Sequence, residues 1–336
     1  MVVSTADVFG LTANPFSQAS LNCLLQATDH DRLRSLRSYV GDLTRARELV
    51  RGAERDKSHC FILVSGPAGS GRSSLANCLL DEYRRCRQIA DRELYIVPTY
   101  ASRSWPADET EVISSCLTTI YRRCVKKRLV PGGNGAEDHV TAAFSTLQAD
   151  PLKTPIPTLG NALQTIALAL GVRHQRAGFG ILLEGMTVPG HVKQWLKLIQ
   201  DVETICVITT SNETRAGDRV EREFDDTVAK PEHGVAVKLQ TVAGDEVLEL
   251  VDALWRAAAP GHDFPLHERA VREWFSENPR SVGRALYLVK RVYSIFIGRY
   301  LAPAALPAGA PPKMSYEETR YQLDEESQYW KPELPE

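Results

Sequence analysis

The sequence predicts an α/β fold: a five-stranded parallel sheet, doubly wound and sandwiched by helices, followed by a small all-helical domain. Three observations predict it. Short apolar runs such as "HCFILVSG" (His59–Gly66) and "TICVITTSN" (Thr204–Asn212) alternate with stretches whose apolar residues recur every three or four positions. Runs of that length with no polar alternation are how strands buried on both faces read, and strands alternating with helices favour parallel pairing. The first of these runs passes through a glycine-rich loop straight into a helix, "SSLANCLLDEYRRCRQI". Beyond about residue 242 only helical spacing remains.

Along the chain, residues 1–29 form a mixed, turn-rich opening segment that contains "FGLTANPF" (Phe9–Phe16). Residues 30–56 are strongly charged, and Leu33, Leu36, Tyr39, Val40 and Leu43 mark one or two amphipathic helices. His59–Gly66 is the first strand, and Leu75, Cys78, Leu79 and Tyr83 trace the helix after it. "ELYIVPTY" (Glu93–Tyr100) is the second strand, followed by a helix over 108–128 that ends in the basic run Arg122, Arg123, Lys126, Lys127 and Arg128. "PGGNG" (Pro131–Gly135) breaks the chain before a short helix over 136–149. After the proline-rich "DPLKTPIP", "TLGNALQTIALALG" is a helix expected to close at Gly171. "GFGILLEGM" (Gly178–Met186) is the third strand, "HVKQWLKLIQ" a helix, Thr204–Asn212 the fourth strand, and "GVAVKLQTV" (Gly234–Val242) the fifth. Three apolar stripes follow, on Val247/Leu250/Val251/Leu254/Trp255, on Val271/Trp274/Phe275, and on Val282/Ala285/Leu286/Val289/Tyr293/Phe296. A low-complexity linker, Ala302–Lys313, leads to an acidic, aromatic tail. The tail is expected either to be disordered alone or to dock, on a partner or on its own domain. The organisation expected is thus an opening segment (1–29), an α/β unit (30–242), a helical unit (243–301), and a linker with its tail (302–336).

Composition narrows the classes. At 336 residues, 43% hydrophobic and 24% charged, the chain can bury a large core without disulfides or metal. A net charge of −2 gives no general attraction to nucleic acid. The seven cysteines form no C-x-x-C pair, and Cys60 and Cys206 lie inside apolar runs, so buried reduced thiols are expected. There is no basic-then-apolar leader and no apolar stretch of about 18 residues, so the expected location is cytoplasmic and without a membrane span. Neither H-E-x-x-H nor G-x-S-x-G occurs, which removes the support for metalloprotease and serine-hydrolase chemistry.

The motif that carries chemistry is "GPAGSGRSS", formed by Gly66, Pro67, Ala68, Gly69, Ser70, Gly71, Arg72, Ser73 and Ser74. Its spacing is that of the phosphate-binding loop G-x-x-x-x-G-K-[ST], with Arg72 where lysine is usual. The glycines allow successive N–H groups to curl around a phosphate, and the following helix turns its positive end to the same place. Ser73 is positioned to place its hydroxyl on a magnesium ion. Arg72 keeps the charge of lysine but is planar, forked and larger, so support of a transferring terminal phosphoryl group is expected to suffer most.

With this motif in its strand–loop–helix setting, the sequence resembles the AAA+ P-loop ATPases of the initiator-like group, which includes replication-initiator, general-secretion and transposon target-selection ATPases. The resemblance spans roughly residues 9–297. "FGLTANPF" resembles the opening segment of the secretion members, "GPAGSGRSS" the Walker A segment, and "ENPRSVGRAL" (Glu277–Leu286) the start of the sensor 2 helix in the lid. The resemblance implies ATP or ADP with magnesium as cofactors, and the helical unit as the lid. The Walker B strand of such proteins ends in Asp-Glu, where this one reads "ILLEGM". Glu184 stands either at the magnesium-side position, with Gly185 replacing the catalytic glutamate, or at the catalytic position, with Leu183 replacing the aspartate. One carboxylate is missing in either register. The resemblance also implies a polar sensor 1 residue at the end of the fourth strand, Asn212 or Thr210. Arg222 becomes a candidate arginine finger toward a neighbouring subunit, as an alternative to an ordinary solvated arginine. Arg280 is the sensor 2 candidate, with Arg284 as its alternate.

Together these imply a nucleotide-binding protein with weak or no ATP hydrolysis, acting as a nucleotide-dependent scaffold or regulator with protein partners or by self-association. An active ATP-hydrolysing switch of the DNA-associated type, and a protein that keeps only the fold, are the alternatives. For DNA, the arginines Arg84, Arg85 and Arg87 and the run 122–128 are the candidate phosphate contacts.

Overall fold

The computed structural model describes residues 15–16, 43–56, 58–88, 94–97, 117, 137–149, 153–173, 178–228, 234–300 and 313–329. Most of the helix expected over 108–128, including its basic run, lies outside these residues, as do most of the opening segment and nearly all of the linker.

The elements run α1 (Leu43–Arg55), β1 (Cys60–Gly66), α2 (Arg72–Cys86), β2 (Leu94–Val97), α3 (Glu137–Gln148), α4 (Ile156–Arg173), β3 (Gly178–Leu183), α5 (Gly190–Ile199), β4 (Ile205–Ser211), α6 (Arg215–Thr227) and β5 (Gly234–Lys238). The strand order is β2-β3-β4-β1-β5, and every neighbouring pair is parallel. Four longer strands form the body of the sheet, and the four-residue β2 closes one edge. Because side chains alternate along a strand, the two faces collect different helices. Cys60, Ile62, Val64, Ile205, Val207, Val235 and Val237 pack under α1 and α2, through Ala46, Val50, Leu75, Leu79 and Tyr83. Phe61, Leu63, Ile181, Leu183, Cys206 and Ile208 pack under α3 to α6, through Phe144, Leu163, Trp195, Leu198 and Phe224. Phe61 stacks on Phe224 with ring centroids 5.0 Å apart. The cysteines Cys60, Cys78 and Cys206 are buried thiols, and burial pushes the Cys60 thiol well above its usual range.

Two strand ends fall short of the sequence expectation for local reasons. β3 stops at Leu183 because Glu184–Gly185 is a turn, with Gly185 at φ 65°. β5 ends at Lys238 where the chain leaves toward the helical unit. β2 is Leu94–Val97, and the rest of the predicted run lies outside the described residues. Helix α4 does not close at Gly171 but continues to Arg173.

The rest is helical: α7 (Gly244–Ala258), α8 (Glu268–Glu277), α9 (Val282–Tyr300) and α10 (Tyr316–Ser327). Their apolar stripes meet in a separate core that contains Trp255, Phe264, Trp274, Phe275, Val289, Tyr293 and Phe296. Phe16, from the far end of the chain, fills the centre of it. Its ring stacks on Trp255 at 6.5 Å and meets Phe264 and Tyr293 edge-on at 6.3 Å and 5.9 Å. The acidic tail is an ordered helix docked on α8 and α9. Ser315 caps α10 by accepting from the Glu318 N–H, Leu323 is fully buried, and the Trp274 indole N–H donates to Asp324 at 2.6 Å. Tyr316 donates to Glu273 at 2.6 Å, and Arg291 pairs with Glu326 at 2.8 Å. Of the outcomes expected for the tail, docking on its own helices is the one observed. No described helix is long and apolar enough to cross a membrane.

Candidate functional site

Since all strands run the same way, the loops leaving β1, β3 and β4 emerge together at their carboxyl ends, where ligands bind in open α/β sheets. β1 lies between β4 and β5, so its loop is the central one. That loop is Gly66–Gly71, and α2 begins at Arg72 directly behind it. Gly71 precedes the helix in a left-handed conformation (φ 89°), which spares the entry any steric cost. A Cβ placed at Gly71 would meet nothing within 4 Å, so the loop opens onto space there.

The residues fit a phosphate. The first turn of α2 leaves N–H groups without intrahelical partners, at the positive end of the helix. Ser70 is buried and its Oγ has no hydrogen-bond partner, and the buried Nη1 of Arg72 also has none. Buried donors left in this state at a helix start are those an anion would satisfy. Burial holds the Arg72 guanidinium below its usual pKa, opposed by the negative charges of Glu213 and Glu184. The charges of carboxylates from the ends of both β4 and β3 thus act on Arg72. Among the described residues no group of three or more His, Cys, Asp or Glu side chains gathers around a point that could hold a metal. A magnesium ion here would take Ser73 and Glu184 from the protein and its other ligands from nucleotide and water.

At the end of β4 the chain is tightly pinned. The Asn212 N–H donates to the Gly66 carbonyl at 3.3 Å. The Thr214 hydroxyl caps α6 by accepting from the Gly217 N–H at 3.0 Å, and a Cβ on Gly217 would come within 1.7 Å of the Ser211 carbonyl oxygen. This turn holds Glu213 over the loop, where its carboxylate accepts from the Ala68 N–H at 2.8 Å. Glu213 is the site residue that sequence reasoning missed. The only signal was its place directly after Asn212, and a polar strand end gives no hint of which side chain turns toward the loop.

The other candidates separate. Thr210 is buried and donates to the Met186 carbonyl at 2.7 Å, while Thr209 accepts from the Gly185 N–H at 2.9 Å. These two residues fasten β3 to β4. Asn212 stays at the loop. Arg222 lies on α6, between the buried Val220 and Phe224, on the sheet face opposite α2. Arg280 is knit by its backbone to Val242, with N···O distances of 2.7 Å and 3.1 Å, and its guanidinium lies 5.6 Å from the Trp274 ring centroid. Arg284 is the nearer of the two to the loop, because a Cβ on Gly69 would lie 3.6 Å from its backbone nitrogen. Burial, and then the like charge of Arg284, lower the Arg280 pKa, so the two cations sit close together.

The helical unit touches the loop directly. The Gly283 N–H donates to the Gly69 carbonyl at 2.6 Å, and a Cβ on Gly283 would meet that oxygen at 2.8 Å. Glycine is required on both sides of this contact, since Gly69 also has a positive φ of 75°.

The arginines Arg84, Arg85 and Arg87, at the far end of α2, are all paired with carboxylates. Arg84 and Arg85 share Asp81 at 2.7 Å and 2.8 Å, and Arg87 pairs with Glu203 at 2.7 Å.

The sequence matches no family model and no curated protein. Among solved structures, the chain is similar to the ORC2 protein of Aeropyrum pernix in its ADPNP–ADP complexes, with 11% identity over 93% of this chain and 71% of that one and a TM-score of 0.48. The ADP form of the same protein gives 13% identity, 83% and 67% coverage, and a TM-score of 0.46. The Walker-type ATPase PABY2304 of Pyrococcus abyssi gives 14% identity, 83% and 71% coverage, and a TM-score of 0.44.

Proposed function

We propose that this chain is an AAA+-like nucleotide-binding protein with weak or no ATP hydrolysis, a scaffold or regulator that reports nucleotide to a larger assembly. The observation that carries this is the direct hydrogen bond from Gly283 to Gly69, which couples the helical unit to the loop. A phosphate that reshapes the loop thereby acts on the helical unit, which then works as the lid of an α/β domain spanning 30–242. Nucleotide can shift that arrangement only by binding one lid position better than another. In this reading the loop amides, Ser70, Arg72 and Ser73 hold the phosphates, and Ser73 and Glu184 hold magnesium. Asn212 senses the terminal phosphate, and Arg284 shares with Arg280 the lid contact. Arg222 on α6 faces a second subunit, so self-association or a protein partner completes the assembly.

Weak turnover follows from two departures in one reaction centre. Arg72 replaces a compact ammonium with a forked cation, and the end of β3 offers one carboxylate, Glu184, before Gly185 turns the chain away. Purified protein should bind fluorescent ADP or ATP in the presence of magnesium while releasing phosphate far more slowly than ordinary P-loop ATPases. Brisk hydrolysis that is lost in Ser73→Ala would replace this proposal with an active switch. The absence of any nucleotide-induced thermal shift would leave only the fold.

A further inference from the structure

The loop already holds an anion that belongs to the protein. The Glu213 carboxylate accepts from the Ala68 N–H at 2.8 Å, and its charge acts on Arg72. The turn that puts it there is rigid: Asn212 is bonded to Gly66, Thr214 caps α6, and Gly217 is packed against Ser211 with no space for a side chain. In this motif the residue at the Arg72 position attends the terminal phosphates, whereas the helix start and the serine after it hold the phosphate seated deepest in the loop. Glu213, just past the end of β4, bonded to the loop at Ala68 and acting on Arg72 by its charge, is thus assigned to the terminal side.

We propose that Glu213 is a built-in anion that discriminates between nucleotides: it leaves the loop open to a diphosphate and opposes the third phosphate of a triphosphate. This rests on the nucleotide-binding function proposed above. The physical basis is a like-charge conflict. A terminal phosphoryl group would compete with the carboxylate for the Ala68 N–H and for Arg72, and two like charges would then share one set of donors. The diphosphate meets only the amides, Ser73 and the near side of Arg72. The site thus favours the product form of nucleotide, which suits a protein that binds without turning over.

The test is isothermal titration of the full chain with magnesium and either ADP or the β,γ-imido analogue of ATP, for wild type and Glu213→Gln. Glutamine is nearly isosteric, and its carbonyl oxygen can still accept from Ala68, so the substitution removes charge and retains the hydrogen bond. Wild type should bind ADP at least about tenfold more tightly than the analogue, and Glu213→Gln should tighten the analogue at least about tenfold while moving ADP by no more than about threefold. Equal affinities in wild type, or a substitution that moves both nucleotides alike, would overturn the proposal while leaving nucleotide binding intact. Binding of neither nucleotide to either protein would overturn nucleotide binding itself, and this inference with it. Thermal melting of the variant, expected to match wild type, guards against a folding defect, and Glu213→Ala provides a second loss of charge with the same expected preference.

Discussion

The two ends of helix α2 both carry arginine, and they differ in what the arginine has found. At the carboxyl end, Arg84 and Arg85 share Asp81, and Arg87 is bound to Glu203 and to the Tyr83 hydroxyl. At the amino end, Arg72 is partly buried with one donor, Nη1, buried and unsatisfied, and the charges of Glu213 and Glu184 act on it without a hydrogen bond among the described contacts. The sequence makes the carboxyl end look the more basic. Charge density in the sequence points to one end of the helix, and unsatisfied donors in the structure point to the other.

The largest expected effect tests the amino end. Arg72→Ala should weaken ADP binding roughly 10- to 100-fold, the range for losing a charge-assisted contact, as measured by titration. If Arg85→Ala, at an exposed position, weakened binding as much, the contrast between the two ends would collapse. Next comes the structural side of the contrast. Arg87→Ala leaves the mostly buried Glu203 carboxylate without its partner and should cost about 2 kcal/mol in urea unfolding, with nucleotide affinity unchanged. Arg291→Ala, which removes a half-exposed pair with Glu326 in the tail, should cost less, about 0.5–1 kcal/mol. Smallest is a pH effect at the tail. Hydrogen bonds from Tyr316 and then Arg269 hold the Glu273 carboxyl below its usual pKa. A carboxyl with a depressed folded pKa contributes stability above its unfolded value and loses it as pH falls through the folded one. Docking of α10, followed by hydrogen exchange, should therefore loosen below about pH 4, and Tyr316→Phe should remove part of that dependence.

Much of the architecture was legible because strand and helix periodicity is a local property. The strands His59–Gly66 and Thr204–Asn212 were each placed within a residue at either end, as was the helix over 136–149. What was lost depends on neighbours distant in sequence. Gly171 reads as a stop, yet α4 continues past it. The tail reads as polar and acidic, but Leu323, Thr319, Gln322 and Glu326 recur on one face that α8 and α9 bury. At the site, the glycine loop and its serine were plain from spacing alone. Glu213 was not, because its role depends on Gly217 closing the β4–α6 turn, a contact that no local pattern announces. Arg280 and Arg284 lie four residues apart in sequence, but Arg280 is bridged to Val242 ahead of α9 while Arg284 lies in the first turn of α9, next to the Gly69–Gly283 contact.

The position of Phe16 bears on how the molecule is made. This residue precedes the whole sheet in the chain, yet its partners Trp255, Phe264 and Tyr293 follow the sheet. In topological terms the α/β unit is inserted into the helical one. During synthesis from the amino end, the sheet can form while Phe16 waits exposed, and the helical core closes only after α9 has emerged. Such long-range closure slows folding, and it means that a truncation inside the helical region would strand an aromatic residue at the opposite terminus.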